Sequence, residues 1–215
     1  MLAGLVFVTD TTRAGHIWNR FSDVAAWIQS LAPPKYPYPV DFERASVGKD
    51  LFERECRKCH GTYGLAASYP NKIIPLNRIG TDSLYVSYWK SHSKLPSWVA
   101  DSWFGQTEPT VKLQQQDGYV APPLDGIWAS APYFHNGSVP SVLGVLDSRH
   151  RPYLWKTGSS YDSVKVGWTI EYADSFVGSN MYDTRNPGQS NRGHTFGDDL
   201  TDDERMAIIE YLKTL

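Results

Sequence analysis

Residues 48–61 read GKDLFERECRKCHG, and this stretch decides how the rest of the chain is interpreted. It belongs to a segment from about Phe42 to Cys59 that we predict to be a helix, with Asp41 as its N-cap residue. Four residues recur at helical spacing along one face of this segment: Ala45, Gly48, Phe52 and Cys56. The pattern therefore predicts a helix whose buried face leads directly into a turn that carries two cysteines.

The turn Cys56-Arg-Lys-Cys59-His60 has the C-x-x-C-H spacing of a haem-attachment motif. Two thiols three positions apart on one helical turn can reach the two vinyl groups at a haem edge, and the following histidine then offers an imidazole to the iron. A redox C-x-x-C would need a βαβ context, and a zinc site would need further cysteines, neither of which the sequence offers. The motif therefore predicts one covalently bound haem c, attached through Cys56 and Cys59 and ligated by His60.

The C-terminus has the signals of another helix. Thr201-Asp-Asp-Glu204 is a capping box, and MAIIEYLKTL follows it. A stripe of residues at helical spacing is predicted to be buried: Ile208, Tyr211, Leu212 and Leu215.

GKDLFERECRKCHG (48–61) and IIEYLKTL (208–215) resemble the first and last helices of class I c-type cytochromes. In that family the two helices cross closely, with a glycine on one and an aromatic residue on the other. Gly48, Phe52 and Tyr211 occupy the matching positions. A residue without Cβ allows two helix backbones to approach each other.

A longer resemblance covers roughly residues 24–215. The segments are YPVDFERASVGKDLFERECRKCHGTYG (38–64), YPNKIIPLNRIGTD (69–82), GYVAPPLDGIWASAPYFHNGSVPS (118–141) and NRGHTFGDDLTDDERMAIIEYLKTL (191–215). They are similar to the C-terminal haem domain of di-haem cytochromes related to bacterial cytochrome c peroxidases and rubber oxygenases. Those proteins carry two haems, whereas this chain has a single C-x-x-C-H motif, so the activity that the family places on the pair of haems is in doubt here.

The iron needs a sixth ligand opposite His60, and three side chains are candidates. His194, in GHTFG before the last helix, is our first choice, and the resemblance supports it because the electron-transferring haem of rubber oxygenases has two histidine ligands. Met181 is the thioether alternative. His150 is a third candidate, because it lies near the position of the peroxidases' second-haem ligand, although it could equally be a surface residue in a polar run.

Other pocket residues can be predicted from the aromatic and proline-rich segments. Apolar walls are expected from Pro122, Pro123, Leu124, Tyr133 and Phe134. His135 is expected to line the pocket or hold a loop. Arg78 could pair with a haem propionate or be a solvated surface residue.

Composition narrows the range of functions. The 215-residue chain has a formal net charge of −2 and no basic cluster, which argues against nucleic-acid binding. No apolar run reaches the length of a membrane span, and the start, MLAGLVFV, is not a convincing signal peptide. Haem c is attached outside the cytoplasm, so the resemblance implies a periplasmic or extracellular protein. We then expect the numbering to start after processing or inside a longer chain.

These observations predict a mainly α fold, namely a cytochrome c-like haem domain with long irregular loop insertions between Tyr63 and Asp199. We expect residues 41–215 to form this domain and residues 1–40 to form an N-terminal helix, Ser22 to Leu31, with a proline-rich linker. VAAWIQSL (24–31) aligns with IIEYLKTL (208–215), either because amphipathic helices look alike or because residues 1–31 are a remnant of a preceding haem domain.

The expected function is electron transfer by a six-coordinate haem c. The alternative is a haem-dependent oxidoreductase, of peroxidase or dioxygenase type, or the electron-relay domain of one. Expected partners are redox proteins, including a second haem domain or a larger redox complex.

Overall fold

The computed structural model describes residues 11–91, 94–101, 114, 116–172 and 181–215. The start of the chain, whose first eight residues read MLAGLVFV, lies outside these ranges. The described chain divides into two compact units, one drawn from within Met1–Ala32 and Trp89–Gln115 and the other from Pro33–Tyr88 and Gln116–Leu215. No helix in the described ranges is long and apolar enough to cross a membrane.

The first unit contains α1 (Thr11–Ser30) and α6 (Lys94–Asp101), and α5 (Leu84–Ser91) runs across the division in the sequence. The N-terminal helix thus begins eleven positions earlier than the predicted Ser22, since its Ser-Asp pair lies inside the helix rather than at its cap. The domain boundary expected at residue 40 stays a prediction.

The core of the second unit is a close crossing of two helices. α2 (Phe42–Glu55) begins at Asp41, whose side chain accepts a hydrogen bond from the Arg44 N–H, and α8 (Asp202–Leu212) begins with the predicted capping box at Thr201. A Cβ atom at Gly48 would overlap the backbone carbonyl of Ala207, so the two backbones are in contact. The crossing predicted from glycine and aromatic residues is confirmed. Its packed side chains include Leu51, Phe52, Ile208, Ile209, Tyr211 and Leu212.

The predicted helix from Phe42 to Cys59 is in fact two helices. α2 ends at Glu55, the chain turns at Cys56, and the short α3 (Arg57–His60) follows. The turn changes the direction of the chain immediately before His60, so that the histidine is presented beyond the end of the core helix.

The prediction of a mainly α fold is wrong, because the described residues of the region expected to be irregular form two antiparallel sheets. α-Helices account for about 41% of the described residues. One sheet pairs β1 (Ile73–Pro75) with β2 (Gly118–Val120), and the other has the order β4-β3-β5, from Gly167–Tyr172, Leu154–Asp162 and Tyr182–Asp183. The strand expected at 167–173 is thus present over 167–172, and Ala173 lies outside the described residues.

Short elements connect the sheets to the helices. They are α4 (Leu76–Ile79), α7 (Val142–Leu146) and two 3-10 turns, Ile127–Ser130 and Ser148–His150. The β1–β2 pair ends at Val120, so it fixes the position of the proline pair that follows.

A buried charged network joins α7 to α8. The Arg205 side chain, 1% exposed, donates to the carbonyls of Leu146 and Gly197 and to the carboxylate of Asp202. Burial raises the pKa of Asp147, but hydrogen bonds from Arg149 and His150 more than offset this and lower the pKa from 3.8 to about 2. The network therefore stabilises the junction between the sheet region and the last helix while Asp147 is ionised.

Candidate functional site

The C-x-x-C-H turn places its two cysteines against two different apolar clusters. Cys56 packs on the main core around Phe52, and Cys59 packs on a smaller cluster formed by Ile74, Ile79 and Ala121. Both thiols are free and half-buried. Desolvation is the main reason that the pKa of Cys56 rises to about 12, with smaller contributions from Glu55 and Cys59. Reactive redox cysteines have a lowered thiol pKa, so the turn has the wrong electrostatics for a thioredoxin-type site.

The imidazole of His60 is oriented as a ligand. Its Nδ1 lies 2.9 Å from the carbonyl oxygen of Pro122, and a carbonyl can only accept, so Nδ1–H is the donor. This tautomer leaves Nε2 with a free lone pair, as metal-binding histidines require. Burial lowers the pKa of His60, an effect that the hydrogen bond to Pro122 opposes. Pro122 was predicted as an apolar wall, but the role of its carbonyl was missed.

The backbone of the turn is fixed by Tyr63. The Tyr63 hydroxyl donates to the carbonyl of His60 and accepts from the N–H of Leu124, both at 2.9 Å. Burial is the main cause that raises the pKa of Tyr63 to about 12, so the hydroxyl stays protonated and can donate. This side chain links the His60 turn directly to the Pro122–Leu124 segment.

His194 faces His60 across the site, with ring centroids 6.3 Å apart and the rings inclined by 56°. Its backbone N–H donates to the Ile79 carbonyl at 2.7 Å. The preceding Gly193 has φ of +79°, and a Cβ there would overlap the backbone of residues 79–81, so only glycine allows the loop to approach α4 this closely. Two segments distant in sequence are thereby held with their imidazoles opposed.

The His194 ring is buried and electrostatically suited to remain neutral. Burial, the facing ring of His60 and the charge of Arg151 lower the pKa of His194 to about 4. Its Nδ1 is buried and has no hydrogen-bond partner among the described residues. A neutral imidazole is the form that binds metal.

The separation of the two rings fits a metal ion between them. A nitrogen–metal distance of about 2 Å on each side, plus about 1 Å from nitrogen to ring centre, gives a centroid separation of about 6 Å. Two imidazoles so placed could hold the iron of a haem between them. The residues present therefore fit a haem, which Cys56 and Cys59 would attach through thioether bonds.

Aromatic residues surround the opposed imidazoles. Phe134 and Phe196 lie 6.0 and 5.1 Å from the His194 ring, centroid to centroid. His135 is exposed and stacks on Tyr119 at 4.0 Å. Phe196 had not been predicted, although its position two residues after His194 is a signal that could have indicated it.

The remaining predicted wall residues differ in burial. Leu124 is half-buried against the main core, whereas Pro123 is exposed. Tyr133 is 7% exposed and donates to the carbonyl of Ile127.

The described contacts of the other candidate ligands and of the propionate candidate do not include the rings of His60 or His194. His150, with a side chain 78% exposed, is hydrogen-bonded to the Asp147 carboxylate at 2.7 Å. Met181 is half-buried immediately before β5, and Arg78 is exposed on α4. Among the three proposed sixth ligands, His194 is therefore the one for which the described contacts include the ring of His60.

Comparison with known proteins also supports a cytochrome c-like domain. A sequence model for a family described as RoxA-like, cytochrome c-like, matches residues 118–156, which include Pro122 and Phe134. The uncharacterized protein y4iJ of Sinorhizobium fredii (strain NBRC 101917 / NGR234) is 30% identical over an alignment 250 residues long. The alignment covers 86% of this chain and 41% of that protein. The uncharacterized protein y4iM of the same strain is 28% identical over an alignment 239 residues long. The alignment covers 89% of this chain and 53% of that protein. The chain thus spans about half, or less, of the length of these curated relatives.

Cytochrome c-like domains are typically secreted or periplasmic. The match to residues 118–156 supports a cytochrome c-like domain in this chain, which implies haem c binding and suggests a haem-binding redox role.

Proposed function

We propose that this chain binds one haem c through Cys56 and Cys59, with His60 and His194 as its axial ligands, and that it transfers electrons to redox protein partners outside the cytoplasm. The observation that supports this most strongly is the 6.3 Å separation of the two opposed imidazole rings. When bound, the haem would supply a reversible one-electron couple.

The chain's own residues provide three properties that electron transfer needs. The carbonyl of Pro122 fixes the tautomer and direction of the His60 ring. The close contact of Gly193 with residues 79–81 fixes the backbone of His194. Phe134 and Phe196 cover the His194 ring and limit the access of water to it. Two ligands held rigidly by the fold need not move between oxidation states, so little reorganisation opposes transfer.

Matured protein provides the test. The pyridine haemochrome spectrum and intact mass should report one haem with two thioether bonds, and a near-infrared spectrum should report two nitrogen ligands. Carbon monoxide should leave the Soret band of the reduced wild type unchanged. A His194→Gly variant should bind carbon monoxide rapidly, whereas the matched control His150→Gly, at an exposed histidine, should remain inert.

The proposal fails if the matured protein has the mass of the bare polypeptide. It also fails if the reduced wild type binds carbon monoxide at once, because an open iron would favour a peroxidase or dioxygenase. If the His150→Gly variant binds carbon monoxide rapidly, the sixth ligand is His150 and the assignment of His194 is wrong.

A second candidate is the electron-relay domain of a larger haem oxidoreductase. It is favoured by the match to the RoxA-like, cytochrome c-like family and by relatives about twice as long as this chain. A second C-x-x-C-H motif in the complete gene would support a di-haem protein of the peroxidase or rubber oxygenase type, and its absence there would favour a single-haem carrier.

A further inference from the structure

Arg151 is a half-buried cation beside the candidate haem site, and its guanidinium contacts the loop that carries His194. It follows the 3-10 turn Ser148–His150 and is the last residue of the polar run Asp147-Ser-Arg-His-Arg. Its guanidinium uses all five of its N–H donors on backbone carbonyls. Nη1 donates to Asn191 and Gly193 at 2.6 Å each, Nη2 to Val145 and His194 at 3.1 Å each, and Nε to Gly144 at 2.7 Å.

These bonds connect two parts of the fold. Three of the acceptors belong to the loop 191–194, which carries the candidate ligand, and two belong to the last turn of α7. The carbonyls at the end of a helix have no partners within the helix and are favourable acceptors for a cation. Arg151 donates to the carbonyl of His194 itself, so it helps to hold the backbone from which the imidazole projects.

The charge of Arg151 is not neutralised locally. Within the described residues no carboxylate lies within 4.0 Å of its guanidinium, and the groups that surround it are neutral carbonyls and the face of Phe134, at 4.9 Å. Burial lowers the pKa of Arg151 to about 10, although Asp198 and Asp147 act to raise it, so the side chain still carries its charge at neutral pH. The same charge contributes to the lowered pKa of His194.

We propose that Arg151 is a positioning residue that locks His194 as the sixth ligand and that its charge raises the reduction potential of the haem iron. This rests on the haem site proposed above. A fixed positive charge disfavours the oxidised state, which carries one more positive charge than the reduced state, and a partly buried charge is only weakly screened by salt.

Two substitutions separate the two effects. Arg151→Met removes both the charge and the hydrogen bonds, whereas Arg151→Lys keeps the charge but cannot reproduce the five-donor fork. Arg149→Met is the matched control, because it removes the same charge from an exposed side chain paired with Asp147. Potentials are measured by anaerobic spectroelectrochemistry, and accessibility of the iron is measured by carbon monoxide binding.

We expect the Arg151→Met protein to show a tenfold lower ratio of reduced to oxidised haem at the wild-type midpoint, equal to a shift of about 59 mV for a one-electron couple. The potential of Arg151→Lys should change much less. Both variants should gain carbon monoxide binding, and Arg149→Met should match the wild type in both measurements.

The effect of the charge, the positioning of His194 and the haem site itself are each contradicted by a different result. An unchanged potential in Arg151→Met, or an equal shift in Arg149→Met, rejects the effect of the charge. An Arg151→Lys protein that remains inert to carbon monoxide rejects the lock on His194. If Arg151→Met does not fold, Arg151→Gln replaces it under the same criteria. A wild type that lacks haem or binds carbon monoxide refutes the haem site itself, whereas a wild type that passes those tests beside unchanged variants refutes only the role of Arg151.

Discussion

The close crossing of α2 and α8 makes Gly48 the position where a single methyl group should do the most damage. A Cβ atom at residue 48 would overlap the carbonyl oxygen and carbon of Ala207 and lie 3.0 Å from the backbone nitrogen of Ile208. Each of these is backbone, so no flexible side chain can move aside. The two helices would have to separate by at least about 1 Å to relieve this overlap.

The cost of that separation can be worked from the side chains at the crossing. Phe52, Ile208 and Tyr211 are 2%, 1% and 7% exposed, and burying three such side chains contributes about 7 kcal/mol. A gap of about 1 Å forfeits up to half of the contact energy, or about 3 kcal/mol. Alanine is a better helix former than glycine by about 1 kcal/mol, which offsets part of this. The net destabilisation of Gly48→Ala is therefore about 2 kcal/mol.

Urea unfolding of the matured protein measures this directly. With a slope of about 2 kcal/mol per M, the midpoint should fall by about 1 M. Ser46→Ala is the matched control, because Ser46 is exposed on the same helix and the change should stay within about 0.5 kcal/mol. A Gly48→Ala protein as stable as the wild type would refute the backbone contact, since the gain in helix propensity would then have acted alone.

Two further substitutions, Asp147→Asn and Tyr63→Phe, test hydrogen bonds that stabilise the fold. The folded pKa of Asp147 is about 2 against an ordinary 3.8, so ionised Asp147 stabilises the fold above about pH 4, and this contribution of about 2 kcal/mol is lost as pH falls through 2. The difference in unfolding free energy between the wild type and Asp147→Asn should be largest at pH 6 and vanish near pH 2, and a difference independent of pH would contradict it. Tyr63→Phe leaves the His60 carbonyl and the Leu124 N–H without their shared partner, which should cost about 1–3 kcal/mol in urea unfolding; a loss below about 0.5 kcal/mol would show that water replaces the hydroxyl.

Local signals were sufficient to predict the parts of the fold that depend on neighbouring residues. The capping box at Thr201 is such a signal, because its two hydrogen bonds lie within four residues. The helix predicted from Phe42 through Cys59 was only partly right, because α2 ends at Glu55 and the separate short α3, Arg57–His60, carries the second cysteine and the histidine. The crossing at Gly48 was predicted from resemblance, and it is confirmed because a Cβ atom there would overlap the backbone carbonyl of Ala207.

The sheets could not be predicted in the same way, because their stability comes from distant partners. β3 contains Gly158, Ser159 and Ser160, which remove the alternation of apolar and polar residues that indicates a strand. The strand forms because Trp155 and Thr157 pair with Tyr172 and Ile170, and the register shifts between Thr157 and Tyr161. Propensity within the segment gives no sign of this pairing.

The candidate site combines residues that local sequence signals indicate with contacts between segments that are distant in the sequence. The spacing of Cys56, Cys59 and His60 is local, so the sequence alone is enough to predict these three as site residues. The other half of the site is assembled by backbone groups that any residue type could supply. The carbonyl of Pro122 directs His60, and the carbonyl of Ile79 anchors His194. A carbonyl leaves no trace in residue identity, which is why the sequence could name His194 only as one of several candidates.

The surroundings of Arg151 likewise could not be predicted from the residues next to it in the sequence. An arginine usually contacts carboxylates or solvent, and its neighbours in sequence, Arg149 and His150, are indeed exposed. Arg151 differs from them only through the loop 191–194, forty residues away, whose carbonyls surround it. Stability and the proposed redox tuning involve separate contacts in this fold. The α2–α8 crossing contributes to the free energy of unfolding, and Arg151 contacts the backbone that carries the His194 imidazole, so a change to one set of contacts need not alter the other.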